Sequence, residues 1–117
     1  MIMEGFSGME EVVDYSIVAH SGDSHEIVLV EHGKAPANEG ERMDVLKKMV
    51  AHTQYCWSGD NTLPAIREGV RKVVGEGGAG GADEHLVVVV SDANLERYGI
   101  SPAELRHAML ADPQVQA

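Results

Sequence analysis

Leu86-Val87-Val88-Val89-Val90 is the stretch on which the fold turns. Five successive branched aliphatic residues have the composition of a strand covered on both faces, as in a parallel sheet held between helix layers. The stretch is expected to be the most buried element of the chain, and it ends at Ser91-Asp92-Ala93-Asn94. Immediately before it, residues 75–81 hold five glycines in seven positions. We read these as a flexible loop, and no Gly-Lys-Ser or Gly-Lys-Thr follows to make it a phosphate-binding one.

Working towards the N-terminus, Thr62 opens a helix with Pro64 in its first turn, and Leu63, Ile66, Val70, Val73 and Val74 recur at helical spacing. Thr62 is the expected N-cap. An earlier helix is expected from about Glu39 to Gln54. Asn38 and Glu41 form its capping pair, and Met43, Leu46, Met49, Val50 and Thr53 form one buried face. Before that, residues 12–20 alternate as a strand, Ser21-Gly22-Asp23-Ser24 has turn chemistry, and residues 27–30 return as the second arm of a β-hairpin. Towards the C-terminus, Ser101-Pro102-Ala103-Glu104 is a capping box that opens a short helix to about Leu110, stopped by Asp112-Pro113. This order of elements indicates an α/β fold with an open, doubly wound (Rossmann-like) sheet.

The 117 residues suit one domain, with 44% apolar and 24% charged residues, near the globular average. A formal charge of −10 disfavours nucleic acid and anionic membrane surfaces, since the basic residues are scattered among carboxylates. The longest apolar run falls far short of the roughly 20 residues that span a bilayer. Cys56 is the single cysteine, so no intrachain disulfide forms and a reducing compartment is expected. The N-terminal residues include Glu4, Glu10 and Glu11 and show neither a signal peptide nor a mitochondrial presequence.

In an open α/β sheet, ligands gather beyond the carboxyl ends of the strands. Asp92 follows the buried strand, and Thr62 stands at a helix mouth that faces the same edge if helix and strand run antiparallel. A hydroxyl and a carboxylate are hard oxygen ligands suited to Mg²⁺. The plainer reading is that Asp92 is a turn residue and Thr62 only a cap. His20, His25 and His32 flank the hairpin. His20 and His32 would reach each other across it as zinc ligands only with partners the sequence lacks, so solvated strand-end histidines are the simpler reading. Cys56 with His52 has no third orienting group, and neither Ser-Gly-Asp, at residues 21–23 or 58–60, forms a nucleophile elbow.

Three strings carry a resemblance: residues 15–23 (Tyr-Ser-Ile-Val-Ala-His-Ser-Gly-Asp), residues 46–62 (Leu46 through Cys56-Trp57-Ser58-Gly59-Asp60-Asn61 to Thr62) and residues 91–100 (Ser-Asp-Ala-Asn-Leu-Glu-Arg-Tyr-Gly-Ile). Together they resemble the von Willebrand factor A domain, in particular the type found at the C-terminal end of a large AAA+ ATPase. The resemblance covers nearly the whole chain, read as a single partial domain over residues 1–117. It implies an intracellular protein, mitochondrial by family and otherwise cytoplasmic. It also implies a metal-ion-dependent adhesion site in which Thr62 matches the family's threonine and Asp92 its later aspartate. Mg²⁺ would bridge that site to a carboxylate of a protein partner.

The Asp-x-Ser-x-Ser motif that should precede them is absent, and residues 1–6 resemble the end of the helix that follows it. The expected domain is therefore truncated: its first strand and its last strands are missing, and Mg²⁺ is weakly held or absent. Leaving the inner edges of the hairpin strand and of residues 86–90 unpaired would cost roughly 1–3 kcal/mol per buried group, comparable with a domain's whole stability of about 5–15 kcal/mol. Alternatively those edges pair with each other in a smaller sheet. Without a Walker A lysine loop the chain is not expected to hydrolyse ATP. Two further readings stand beside the adhesion module: a small metal-dependent hydrolase using Asp92 with the hairpin histidines, and a structural subunit that binds a partner through an exposed strand edge.

Overall fold

The computed structural model describes residues 2–55, 61–78, 82–91 and 94–117. Its elements in chain order are α1 (Ile2–Gly5), β1 (Ile17–Ala19), β2 (Ile27–Val30), α2 (Glu39–Tyr55), α3 (Thr62–Gly78), β3 (His85–Leu86), a 3₁₀ turn (Glu96–Tyr98), α4 (Pro102–Met109) and β4 (Val115–Gln116). The mixture of helix and strand agrees with an α/β chain. The single doubly wound sheet is not formed among the described residues. The strands make two separate two-stranded sheets, β1 antiparallel to β2 and β3 parallel to β4. Nor do the inner edges close on each other, since Val18 pairs with Val28 and β3 pairs only with β4.

The β1–β2 hairpin is shorter than its alternation suggests. Residues 12–16 lie outside the ladder, and the chain from Met9 to Val13 is coiled into turns in which the N–H groups of Val12 and Val13 both donate to the Met9 carbonyl. The reason lies on the partner strand. β2 ends at Val30, and Gly33 turns away with φ +72°, so nothing remains for residues 12–16 to pair with. The ladder pairs Ile17 with Val30 and Val18 with Val28, leaving Leu29 as the extra residue of a bulge. The hairpin turn does form at residues 21–24. It is organised by the Ser21 hydroxyl, which accepts from the N–H groups of Asp23 and Ser24 at 3.2 and 3.3 Å.

α2 starts where its capping pair places it. The N–H of Glu41 donates to Asn38 Oδ1 at 3.0 Å, while the Glu41 carboxylate accepts from the N–H of Ala37 at 2.7 Å. Its buried face differs from the expected one. Val45 packs with Leu29 and Val30, whereas Met43, Leu46, Met49 and Val50 stay exposed. A hairpin with strands of three and four residues offers α2 room for one contact line, and the rest of the stripe has no surface to meet.

The second cluster has Ile66 and Val70 of α3, Ala108 of α4 and Val115 of β4 at its centre. α3 keeps the expected apolar face, with Leu63, Val73 and Val74 packed around those residues. Two details differ. Asn61, not Thr62, caps the helix, since the Asn61 carbonyl accepts from the N–H of Ala65 at 2.9 Å. The helix also runs on through Gly78 rather than ending before Gly75; residues 79–81 of the expected loop lie outside the described residues. At Gly69 a Cβ would stand 3.8 Å from Val87 Cγ1, so α3 lies close against the stretch that follows β3. α4 opens with the expected capping box: the N–H of Glu104 donates to Ser101 Oγ at 3.2 Å and the N–H of Ser101 donates to the Glu104 carboxylate at 2.9 Å.

Residues 86–90 depart most from expectation. Regular pairing covers His85 and Leu86, and the N–H of Val87 adds a bond to the Gln116 carbonyl at 2.8 Å. Val87 and Val89 pack towards α3 and α4, but Leu86, Val88 and Val90 are 63, 70 and 83% exposed. The stretch is thus covered on one face only. The molecule is 19 Å deep in its thinnest direction, the depth of two packed layers of about 10 Å each, and among the described residues no third layer covers the stretch. After Pro113 the chain returns as β4, a two-residue strand that the sequence reading did not place.

Candidate functional site

The hairpin turn and the start of α3 meet. The side-chain amide of Asn61 donates to the Ser21 carbonyl oxygen at 2.6 Å, across 40 residues of sequence. Ser21 and Thr62 are the two buried polar residues among those described, Thr62 only 4% exposed. The bond holds the turn against the helix mouth, where Thr62 is buried while Pro64 stays exposed. α3 ends at Gly78 and β3 begins at His85, and Gly69 in the middle of the helix lies against Val87. Thr62 stands at the mouth of α3, next to the Asn61–Ser21 bond. Asp92, its expected companion, lies outside the described residues, as do Cys56 and Trp57 to Asp60.

A second tie lies farther along α3. Lys72 Nζ donates to Glu26 Oε1, with both side chains partly buried. This pair closes one side of an open concavity of about 360 Å³, lined by Ser16, Val18, Glu26, Val28, Glu31, His32 and Lys72. Its charged groups are already engaged with one another or with neighbours. Lys34 donates to Glu31, and through that hydrogen bond holds the Glu31 carboxyl below the usual carboxylate range. His32 Nδ1 lies 3.2 Å from Asp14 Oδ2, and the other Asp14 oxygen accepts from the N–H of Gly33 at 2.8 Å. On α3, Arg71 hydrogen-bonds Glu68 and likewise lowers its pKa.

These contacts decide several expectations. His32 turns to Asp14 rather than to His20. Among the described residues no group of three or more His, Cys, Asp and Glu side chains is arranged to hold a metal ion. The hydrolase reading draws on Asp92, which lies outside the described residues. No described helix is long and apolar enough to cross a membrane. The tie between Asn61 and Ser21 was not legible in the sequence; its only signal was a strong hydrogen-bonding residue directly before Thr62.

No family model and no solved structure matches the chain. Over its whole length it is 43% identical to a region of von Willebrand factor A domain-containing protein 8 of Mus musculus, and it spans 6% of that relative's length. The likeness is therefore to one short region of a much longer relative whose name carries the von Willebrand factor A domain.

Proposed function

We propose that the chain is a non-catalytic, protein-binding module whose ligand edge is the one formed by the hairpin turn, the mouth of α3 and the residues after the Leu86–Val90 stretch. The observation that supports it most is the Asn61–Ser21 bond, which buries Thr62 at that edge. Thr62 and Asp92 are the residues that would hold Mg²⁺, the first by its hydroxyl and the second by its carboxylate, directly or through water. In kind they fit, because Mg²⁺ takes oxygen ligands, accepts one or two carboxylates and retains waters. In number they are few. Ser21, a further oxygen donor tied to Asn61, spends its hydroxyl on two backbone N–H groups and its carbonyl on Asn61. Bound Mg²⁺ would supply an open position for a carboxylate of the partner.

The protein's own part is positional. The turn holds the helix mouth, Thr62 is kept from exchanging freely with solvent, and the packed α3 fixes both against the strand. That the chain belongs to a larger ATP-driven protein, and the compartment in which it acts, are parts of the same proposal and rest on the resemblance carried by residues 15–23, 46–62 and 91–100. Isothermal calorimetry with MgCl₂ tests the metal. Weak binding that disappears in Asp92→Ala and weakens in Thr62→Ala supports the assignment, and tight binding that survives Asp92→Ala overturns it.

A further inference from the structure

The last pair of the β1–β2 ladder before the hairpin turn is Ala19 with Ile27, so the turn itself is placed by bonds outside the sheet. Those bonds form a circuit. The side-chain amide of Asn61 donates to the Ser21 carbonyl, and the Ser21 N–H donates to the Ser24 carbonyl at 2.7 Å. The Ser21 hydroxyl accepts from the N–H groups of Asp23 and Ser24. Ser24 Oγ in turn donates to the Glu26 carbonyl at 3.1 Å and accepts from the Glu26 N–H at 3.2 Å. The Glu26 carboxylate accepts from Lys72 Nζ, which returns the circuit to α3.

Asn61 and Lys72 stand eleven residues apart, which is three turns, or about 16 Å, along a helix. The hairpin turn is therefore pinned to α3 at two separated points. One hydrogen bond at Asn61 would let the turn pivot about it. The second attachment removes that freedom, because α3 is continuous from Thr62 to Gly78 and holds the two pins at a fixed distance. At the near pin the consequence falls on the helix mouth. The Asn61 carbonyl accepts the N–H of Ala65 at 2.9 Å while its side chain holds the turn, and buried Thr62 is its covalent neighbour. Any tilt of the turn thus acts on the residue that carries both the start of α3 and the backbone leading into Thr62.

We propose that Lys72 is a positioning residue for the mouth of α3: acting through Glu26, Ser24 and Ser21, it fixes the hairpin turn and with it Asn61 and Thr62, three helical turns away. The functional meaning of this coupling rests on the reading of Thr62 as a ligand of the proposed edge. The coupling itself needs no metal, so the two fail separately.

Amide hydrogen exchange of the full 117-residue chain in EDTA tests it. In Lys72→Met the amides of Asp23, Ser24 and Ala65 should exchange about fivefold faster than in the parent, while those of Leu105 and Leu110 in and after α4 keep their rates. Lys72→Arg, which keeps a donor, should stay near the parent. Ser24→Ala leaves Lys72 and Glu26 in place but cuts the circuit between them and Ser21, so it should reproduce the faster exchange at Ala65. Lys47→Met, which breaks an ion pair with Asp44 on α2, should leave Asp23, Ser24 and Ala65 unchanged. In a parallel calorimetric titration with MgCl₂, Lys72→Met should bind more weakly than the parent; a parent that binds no Mg²⁺ would overturn the metal reading of the edge, and the exchange pattern would still decide the coupling. Unchanged exchange at Ala65 in Lys72→Met, an effect there that Ser24→Ala does not share, or an equal acceleration throughout α4 would each overturn the proposal.

Discussion

Asn61 reaches the Ser21 carbonyl at 2.6 Å, and that bond joins two parts of the molecule with separate cores. On one side Leu29, Val30 and Val45 pack together; on the other Ile66, Val70, Ala108 and Val115 do. The Lys72–Glu26 pair is the second tie between them. The geometry of the proposed ligand edge therefore depends on very few groups, and removing either tie should be felt at both cores.

Asn61→Ala removes the donor and leaves the Ser21 carbonyl, in a buried turn, without that partner. A buried acceptor left unsatisfied costs about 1–3 kcal/mol, and the expected loss lies in that range. Asn61→Asp keeps a capping residue but cannot donate, so it should lose nearly as much. Urea unfolding of the three proteins checks both values, and a neutral Asn61→Asp would show that the donated hydrogen bond contributes nothing.

Lys72 and Glu26 are 17 and 29% exposed, enough cover for a measurable pair and too little for a deeply buried one. A double-mutant cycle with Lys72→Met and Glu26→Gln should give a coupling of about 1 kcal/mol that shrinks as salt is added. Coupling that ignores salt would point to packing of the lysine stem instead.

The two helix faces make opposite predictions. Ile66→Ala, at 3% exposure, should cost about 2–5 kcal/mol. Leu46→Ala and Val50→Ala, on the exposed stripe of α2, should each fall within about 0.5 kcal/mol of neutral. Thermal melts rank the three directly. A large loss at Leu46 would mean that the stripe is covered in solution.

Glu104 is held below its ordinary value near 4.5 by the hydrogen bonds of Ser101, the backbone N–H first and the hydroxyl second. A carboxyl depressed on folding adds stability that is fully present above about 4.5 and is lost as pH falls through its lower folded value. Glu104→Gln should therefore melt lower than the parent at neutral pH, and the gap should close in acid. Melting curves taken downward through the carboxylate range show whether it does.

The helices were the legible part of the fold because their signals are local. Asn38 with Glu41, and Ser101 with Glu104, lie within one turn of each other and act wherever the rest of the chain goes. Strands are legible only as far as their partners extend. Residues 12–16 carry an alternating pattern but β2 ends too early, and residues 86–90 carry a two-faced composition but meet a layer on one side. The stripe on α2 was read correctly as apolar, and what it faces depends on the width of a hairpin that no residue of the helix encodes. At the candidate site, Thr62 was legible through its position before Pro64. The Asn61–Ser21 bond that buries it spans 40 residues and leaves no periodic trace.

The most direct measurement of the proposed role is a Mg²⁺ titration of the ¹⁵N-labelled chain followed by backbone amide shifts. The account predicts changes confined to Ser21, Asn61, Thr62 and Asp92 and their neighbours, saturating only at high Mg²⁺ and vanishing in Asp92→Ala. Shifts centred on the hairpin histidines, or unchanged binding in Asp92→Ala, would contradict it.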